Sequence, residues 1–139
     1  MAKAVTPEDA QALLAEGHSY VDVRSEQEFE AGHPAGALNV PISNMGPGGL
    51  EPNADFIAVM ERLFPKDAKL VIGCKTGARS RRAAAMLEAA GYTSIADMVA
   101  GFAGARDAFG RPNPGWTQKA LPVDTGAPAG KSYADVKKR

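Results

Sequence analysis

Leu70-Val71-Ile72-Gly73-Cys74-Lys75-Thr76-Gly77-Ala78-Arg79-Ser80 is the stretch on which the fold turns. Residues 70–73 form a short, unbroken apolar run, suited to a strand buried on both faces of a parallel sheet. From Ser80 the pattern becomes helical, with Ala83, Met86, Leu87 and Ala90 on one face, Arg81, Arg82 and Glu88 outside, and Gly91 as the stop. The same order of strand then helix occurs upstream. Tyr20-Val21-Asp22-Val23 is β-rich and gives way to Ser25-Glu26-Gln27-Glu28, whose S-x-x-E form is a capping box. Such alternation specifies an α/β domain of three layers, a mostly parallel sheet flanked by helices.

Working outward, Thr6 can cap a first helix that has Pro7 in its first turn, Glu8 and Asp9 against its positive end, and Ala10, Leu13 and Leu14 toward a core. Ala37-Leu38-Asn39-Val40 suits a short strand stopped by Pro41. Residues 43–53, rich in glycine and proline, read as a loop. Phe56, Val59, Met60 and Leu63 recur at helical spacing, and a last strand is expected within 94–99. A short helix is expected around 103–109, followed by irregular chain through Pro112, Pro114 and Gly115. A single domain is expected over 1–124. Residues 125–139 have little apolar content beyond Tyr133 and Val136 and are expected to form a flexible tail.

Composition narrows the function. Sixteen basic side chains balance 16 acidic ones in 139 residues, so the excess basic charge that drives nucleic-acid binding is missing. No run approaches the roughly 20 apolar residues of a membrane span, and the N-terminus has no signal-peptide pattern, so the expectation is a cytoplasmic protein with neither nucleic acid nor membrane as partner. The one cysteine, Cys74, has no disulfide partner and cannot build a multi-thiolate metal cage. Either it is a small buried hydrophobe, as most lone cysteines are, or it is used chemically.

Its surroundings favour use. Carboxyl ends of strands in open α/β sheets are where ligands bind. A loop curling into a helix start aims several backbone N–H groups at one spot, where the helix dipole favours negative charge and a thiolate. Gly77 permits a tight turn, Lys75 and Arg79 add positive charge for an anionic substrate, and Ser80 can cap the helix. Asp22 and Arg24, two apart, project from the same side of their strand, opposite Val21 and Val23, and are expected to pair behind the active loop.

The chain resembles the rhodanese family of sulfurtransferases. The motifs that carry this are Val21-Asp22-Val23-Arg24 with Glu28-Phe29, Gly32-His33-Pro34-Ala35-Gly36-Ala37 with Asn39 and Pro41, Cys74-Lys75-Thr76-Gly77-Ala78-Arg79-Ser80, and Gly91-Tyr92, in order over about 6–123. The resemblance implies a rhodanese-like fold with a five-stranded, mostly parallel sheet. It also implies a two-step reaction without cofactor or metal. Cys74 takes the sulfane sulfur of a small anionic donor such as thiosulfate, and a persulfide on Cys74 passes it to a thiol, a cyanide-like acceptor or a protein. Backbone N–H groups of Lys75, Thr76, Gly77, Ala78 and Arg79 would hold the anionic sulfur, Lys75 and Arg79 would orient the donor, and Asp22, Arg24 and Ser80 would support the loop. His33 is implied to stabilise the fold, and His18 is expected to be exposed. Where many members have Gly-Gly and a tryptophan after the last strand, this chain has Ala100-Gly101-Phe102-Ala103-Gly104-Ala105; its Trp116 is expected to pack against the domain after an insertion that lengthens the rim of the site.

Two rivals remain. A cysteine-type phosphatase or arsenate reductase needs C-x5-R, whereas four residues separate Cys74 from Arg79 and Ser80 stands where that arginine belongs. A non-catalytic interaction module is known among rhodanese-like domains that lack the cysteine, which this chain keeps.

Overall fold

Capping chemistry sets where the first two helices begin. Thr6 Oγ1 accepts from the Asp9 N–H (3.0 Å) while the Asp9 carboxylate accepts from the Thr6 N–H, and Ser25 and Glu28 repeat the exchange. The computed structural model describes residues 2–139. In chain order its elements are β1 (Lys3–Val5), α1 (Pro7–Ala15), β2 (Ser19–Asp22), α2 (Glu26–Ala31), β3 (His33–Pro34), β4 (Leu38–Asn39), β5 (Ser43–Gly46), β6 (Gly49–Pro52), α3 (Phe56–Leu63), β7 (Leu70–Gly73), α4 (Ala78–Ala89), β8 (Ile95–Met98), β9 (Ala105–Arg106), β10 (Pro112–Asn113), β11 (Val123–Asp124) and α5 (Tyr133–Val136).

Five strands form one parallel sheet in the order β1-β8-β7-β2-β4. Every residue of β7 is buried, as its unbroken apolar run requires. The period of two divides the core between the faces. Val21, Leu70, Ile72 and Ile95 join Phe56, Met60, Ala83, Ala84 and Leu87 of α3 and α4 on one side. Tyr20, Val71, Ala96 and Met98 join Ala10, Phe29 and Trp116 on the other. Trp116 is buried as expected, its ring edge-on to Tyr20 and its Nε1–H donating to the Pro122 carbonyl (2.8 Å). The chain leaves β2 toward β4 and leaves β7 toward β8, in opposite directions across the sheet. The reversal point, where ligand crevices form, therefore lies between the carboxyl ends of β2 and β7.

Several local expectations give way. The edge strand β1 precedes the first helix where sequence patterning shows no strand; three residues are too few for a period. Residues 43–52 form the hairpin β5–β6 around a two-residue Pro47-Gly48 turn, since glycine and proline at strand ends mark a turn as readily as a loop. Asn44 ties that hairpin to α2 through Glu26. The helix expected at 103–109 is instead the hairpin β9–β10, held by Asp107 Oδ1, which accepts from the N–H groups of Phe109 and Arg111 (2.9 Å each). In α4 the buried stripe is Ser80, Ala83, Ala84 and Leu87, and Met86 points outward.

The expected tail is the largest correction. Residues 125–139 fold back along β4. The Asn39 N–H donates to the Lys131 carbonyl (2.9 Å), closing the open edge of the sheet, and the Gly126 N–H donates to the Glu30 carbonyl. Tyr133 and Val136 enter the core, and Asn53 donates to the Tyr133 hydroxyl. Two apolar residues one turn apart give too short a period to be read as a packed helix. Among the described residues no helix is long and apolar enough to cross a membrane.

Because Val136 has no exposed surface, Val136→Ala should lower unfolding free energy by about 1–3 kcal/mol, seen as an earlier denaturant midpoint. A free tail would leave the midpoint where it is.

Candidate active site

Cys74 follows β7 directly, at the reversal point, with 1% of its surface exposed. Its Sγ lies against the residue that opens α4. The Gly77 N–H donates to it at 3.1 Å. Gly77 is the N-cap of α4 in the left-handed region (φ 105°), and the helix start has no side-chain cap. Ser80 therefore does not cap the helix: it sits inside the first turn, its Oγ 2.7 Å from Asp97 Oδ1 and 3.1 Å from the Gly77 carbonyl. No side-chain oxygen caps the helix start, and the N–H of its N-cap residue Gly77 is the donor that reaches the sulfur. A Cβ at Gly77 would fall 2.4 Å from the Val99 carbonyl oxygen, so only glycine makes this turn.

A second loop fixes the first from below. After β8 the chain passes under the active loop, the Phe102 N–H donating to the Cys74 carbonyl (2.8 Å) and the Ala103 N–H to the Lys75 carbonyl (3.0 Å). Gly101 (φ 76°) makes this approach; a Cβ there would lie 2.3 Å from the Lys75 carbonyl oxygen. The Ala100-Gly101 departure from a Gly-Gly pair thus keeps the glycine that touches the active loop.

Three carboxylates organise the charges. Asp22 and Arg24 form the expected ion pair (2.6 Å), almost fully buried, with Arg24 also donating to the Gly32 carbonyl and lying over the Phe102 ring at 4.5 Å. Arg79 does not present a free cation. Its two terminal nitrogens fork onto Glu28 at 2.7 and 2.9 Å, bridging the first turns of α2 and α4 across the crevice. The Arg79 guanidinium holds the Glu28 carboxyl down to about 2, against the opposing effect of burial. Of the loop cations, Lys75 is exposed and has no carboxylate partner among the described residues, while Thr76 and Ala78 are also exposed. The third carboxylate, Asp97, is one that motif reading missed. Burial pushes its carboxyl up, opposed by the Ser80 hydrogen bond. Its signal was an acid inside an otherwise apolar strand.

His33 stacks on Phe29 (3.7 Å between ring centres), with Nδ1 2.7 Å from the Phe29 carbonyl oxygen. That contact requires the proton on Nδ1 and gives the ring a place in the fold rather than beside Cys74. His18 is half-buried rather than exposed, with Nδ1 enclosed and unpartnered. Among the described residues no cluster of three or more His, Cys, Asp or Glu could hold a metal ion.

The Glu28–Arg79 fork has a pH signature. A carboxyl lowered from 4.5 to about 2 contributes stability fully above pH 4.5 and loses it as pH falls through about 2. Glu28→Gln should be less stable than the parent by about 1 kcal/mol near neutrality, solvent screening of the half-buried pair included. Denaturant melts across pH should show that gap closing toward pH 2; a gap independent of pH would mean the fork contributes no charge interaction.

Comparison with known proteins agrees with the topology. Residues 6–108 match the rhodanese-like domain family. Thiosulfate sulfurtransferase 16, chloroplastic, of Arabidopsis thaliana is 36% identical over 114 residues, 82% of this chain and 86% of that protein. The senescence-associated protein DIN1 of Raphanus sativus is 33% identical over 83% of this chain, which spans 57% of DIN1's length. The crystal structure of Rv0390 from M. tuberculosis, 29% identical, superposes with a TM-score of 0.74 over 90% of this chain and 98% of that one. A match over most of the chain, on a five-stranded parallel sheet with its cysteine at the reversal point, places this protein in the rhodanese-like domain family.

Proposed function

We propose that this chain is a sulfurtransferase that carries sulfane sulfur as a persulfide on Cys74. The observation that carries this is the sulfur itself: Cys74 Sγ lies at the end of a buried strand and accepts a hydrogen bond from the Gly77 N–H at an uncapped helix start. The name of the Arabidopsis relative, a thiosulfate sulfurtransferase, supports the same reaction class. In the first half-reaction the Cys74 thiolate attacks the outer sulfur of thiosulfate. The S–S bond of the donor breaks, sulfite leaves with its electron pair, and Cys74–S–S⁻ remains. The Gly77 N–H and the helix start stabilise that anion without reorganising, as an oxyanion hole does for developing charge. The second half-reaction returns the electron pair to Cys74 when a thiol or cyanide takes the terminal sulfur. No second cysteine is present to do this within the chain.

Donor attraction falls to Lys75. Arg79 is committed to Glu28 and serves to close the crevice between α2 and α4, which also weighs against a phosphatase or arsenate reductase, whose arginine must be free to grip its oxyanion. Asp22 and Arg24 brace the loop from behind. Taking either partner away would leave a buried, uncompensated charge, at a cost of about 3–5 kcal/mol.

Two measurements test this. Intact mass after incubation with thiosulfate should show the gain of one sulfur atom on the parent and none on Cys74→Ser; an adduct that survives the substitution overturns the assignment. Lys75→Ala should raise KM for thiosulfate roughly three- to tenfold with little change in kcat, as expected for one charge-assisted contact. An unchanged KM would remove Lys75 from donor binding.

A further inference from the structure

Resting on the sulfur-transfer reading, we propose that the valley from Lys75 to the β9–β10 hairpin is the docking site for an acidic, cysteine-bearing segment of a protein sulfur acceptor. Two grooves flank the active loop, of ≈ 300 and ≈ 630 Å³. One has Arg24, Lys75 and Phe102 in its wall and the other has Thr76, Arg106 and Pro112; Ala103 lines both, so they lie side by side and together make the valley. A small anionic donor needs only the end beside Lys75. The larger half, running to the hairpin, has no part in the donor step.

Charge and apolar surface select the occupant. Arg24 is neutralised by Asp22 and Glu28 by Arg79, so the charges left in the valley are Lys75 and Arg106. Arg106 donates to the Gly110 carbonyl and has no carboxylate partner among the described residues. At the hairpin tip Phe109 is 80% exposed, the most exposed large hydrophobic side chain of the described residues, with Arg111 over its ring. Cations along a groove that ends at a hairpin bearing an exposed aromatic ring complement a segment that carries carboxylates and an apolar side chain. The acceptor step balances without a further reagent. The segment's thiolate attacks the terminal sulfur of Cys74–S–S⁻, the S–S bond to Cys74 breaks, its electron pair returns to Sγ as thiolate, and the segment leaves as R–S–S⁻.

The test is single-turnover discharge of the preloaded persulfide by three acceptors. These are a synthetic peptide with one cysteine among glutamates and a leucine, the same peptide with lysines for glutamates, and cyanide. The glutamate peptide should discharge the parent about tenfold faster than the lysine peptide, the preference shrinking at high salt. Arg106→Glu should abolish or reverse that preference and Phe109→Ser should weaken it, both with unchanged cyanide discharge and melting temperature. Equal rates for the two peptides, or a preference untouched by either variant, overturns the docking proposal while sulfur transfer stands. A dimer of the parent that Arg106→Glu dissociates overturns it too, because the valley is then covered by a second copy of the chain. Failure of the parent to load sulfur at all sinks the sulfur-transfer reading and the docking site with it.

Discussion

The loop after β8 lies so close under the loop after β7 that Gly101 leaves no room for a Cβ beside the Lys75 carbonyl. Much of the site depends on this contact. It lets two backbone N–H groups, of Phe102 and Ala103, hold the carbonyls of Cys74 and Lys75. With its carbonyls held from below, the loop turns the Gly77 N–H toward the sulfur. Trp116 braces the arrangement, its backbone N–H donating to the Gly101 carbonyl. Preorganisation of this kind is what makes a weak N–H···S contact useful, since the donor is in place before charge develops.

Charges around the crevice are arranged mainly to cancel. A chain with equal numbers of acids and bases could scatter them, but here two of the arginines near Cys74 are each claimed by a carboxylate. Pairing reduces the desolvation cost of burying Asp22 and Arg24 and ties α2 to α4 through Glu28 and Arg79. The field that an anion meets is then set by backbone dipoles and Lys75. Such a site favours small anions by geometry and helix dipole more than by a cluster of cations, in keeping with a sulfur anion as the species to be held.

Much of the fold was legible because its signals are local. A run of four apolar residues at 70–73, a capping box at Ser25–Glu28 and a lone cysteine before a glycine need no distant partner to be read, and the structure places each as the patterns imply. The misreadings share a cause. β1, the two hairpins and α5 are too short to carry a period; β1 is held by β8, β5 by α2, and α5 by Asn53 and the core beneath β4, all remote in sequence, while β9–β10 is closed locally by Asp107.

The amino-acid sequence by itself determined the α/β alternation and the position of Cys74 at a strand-to-helix junction, because these follow from hydrophobic period and turn chemistry. Only the tertiary structure decided what each charge does. Arg79 reads as a substrate-binding cation until α2 brings Glu28 to its guanidinium, 51 positions away in the chain. Asp97 reads as an oddity in a strand until α4 lays Ser80 upon it. A charge acts through whatever stands within a few ångströms, and in a parallel sheet joined by helical crossovers those neighbours come from segments far apart in sequence.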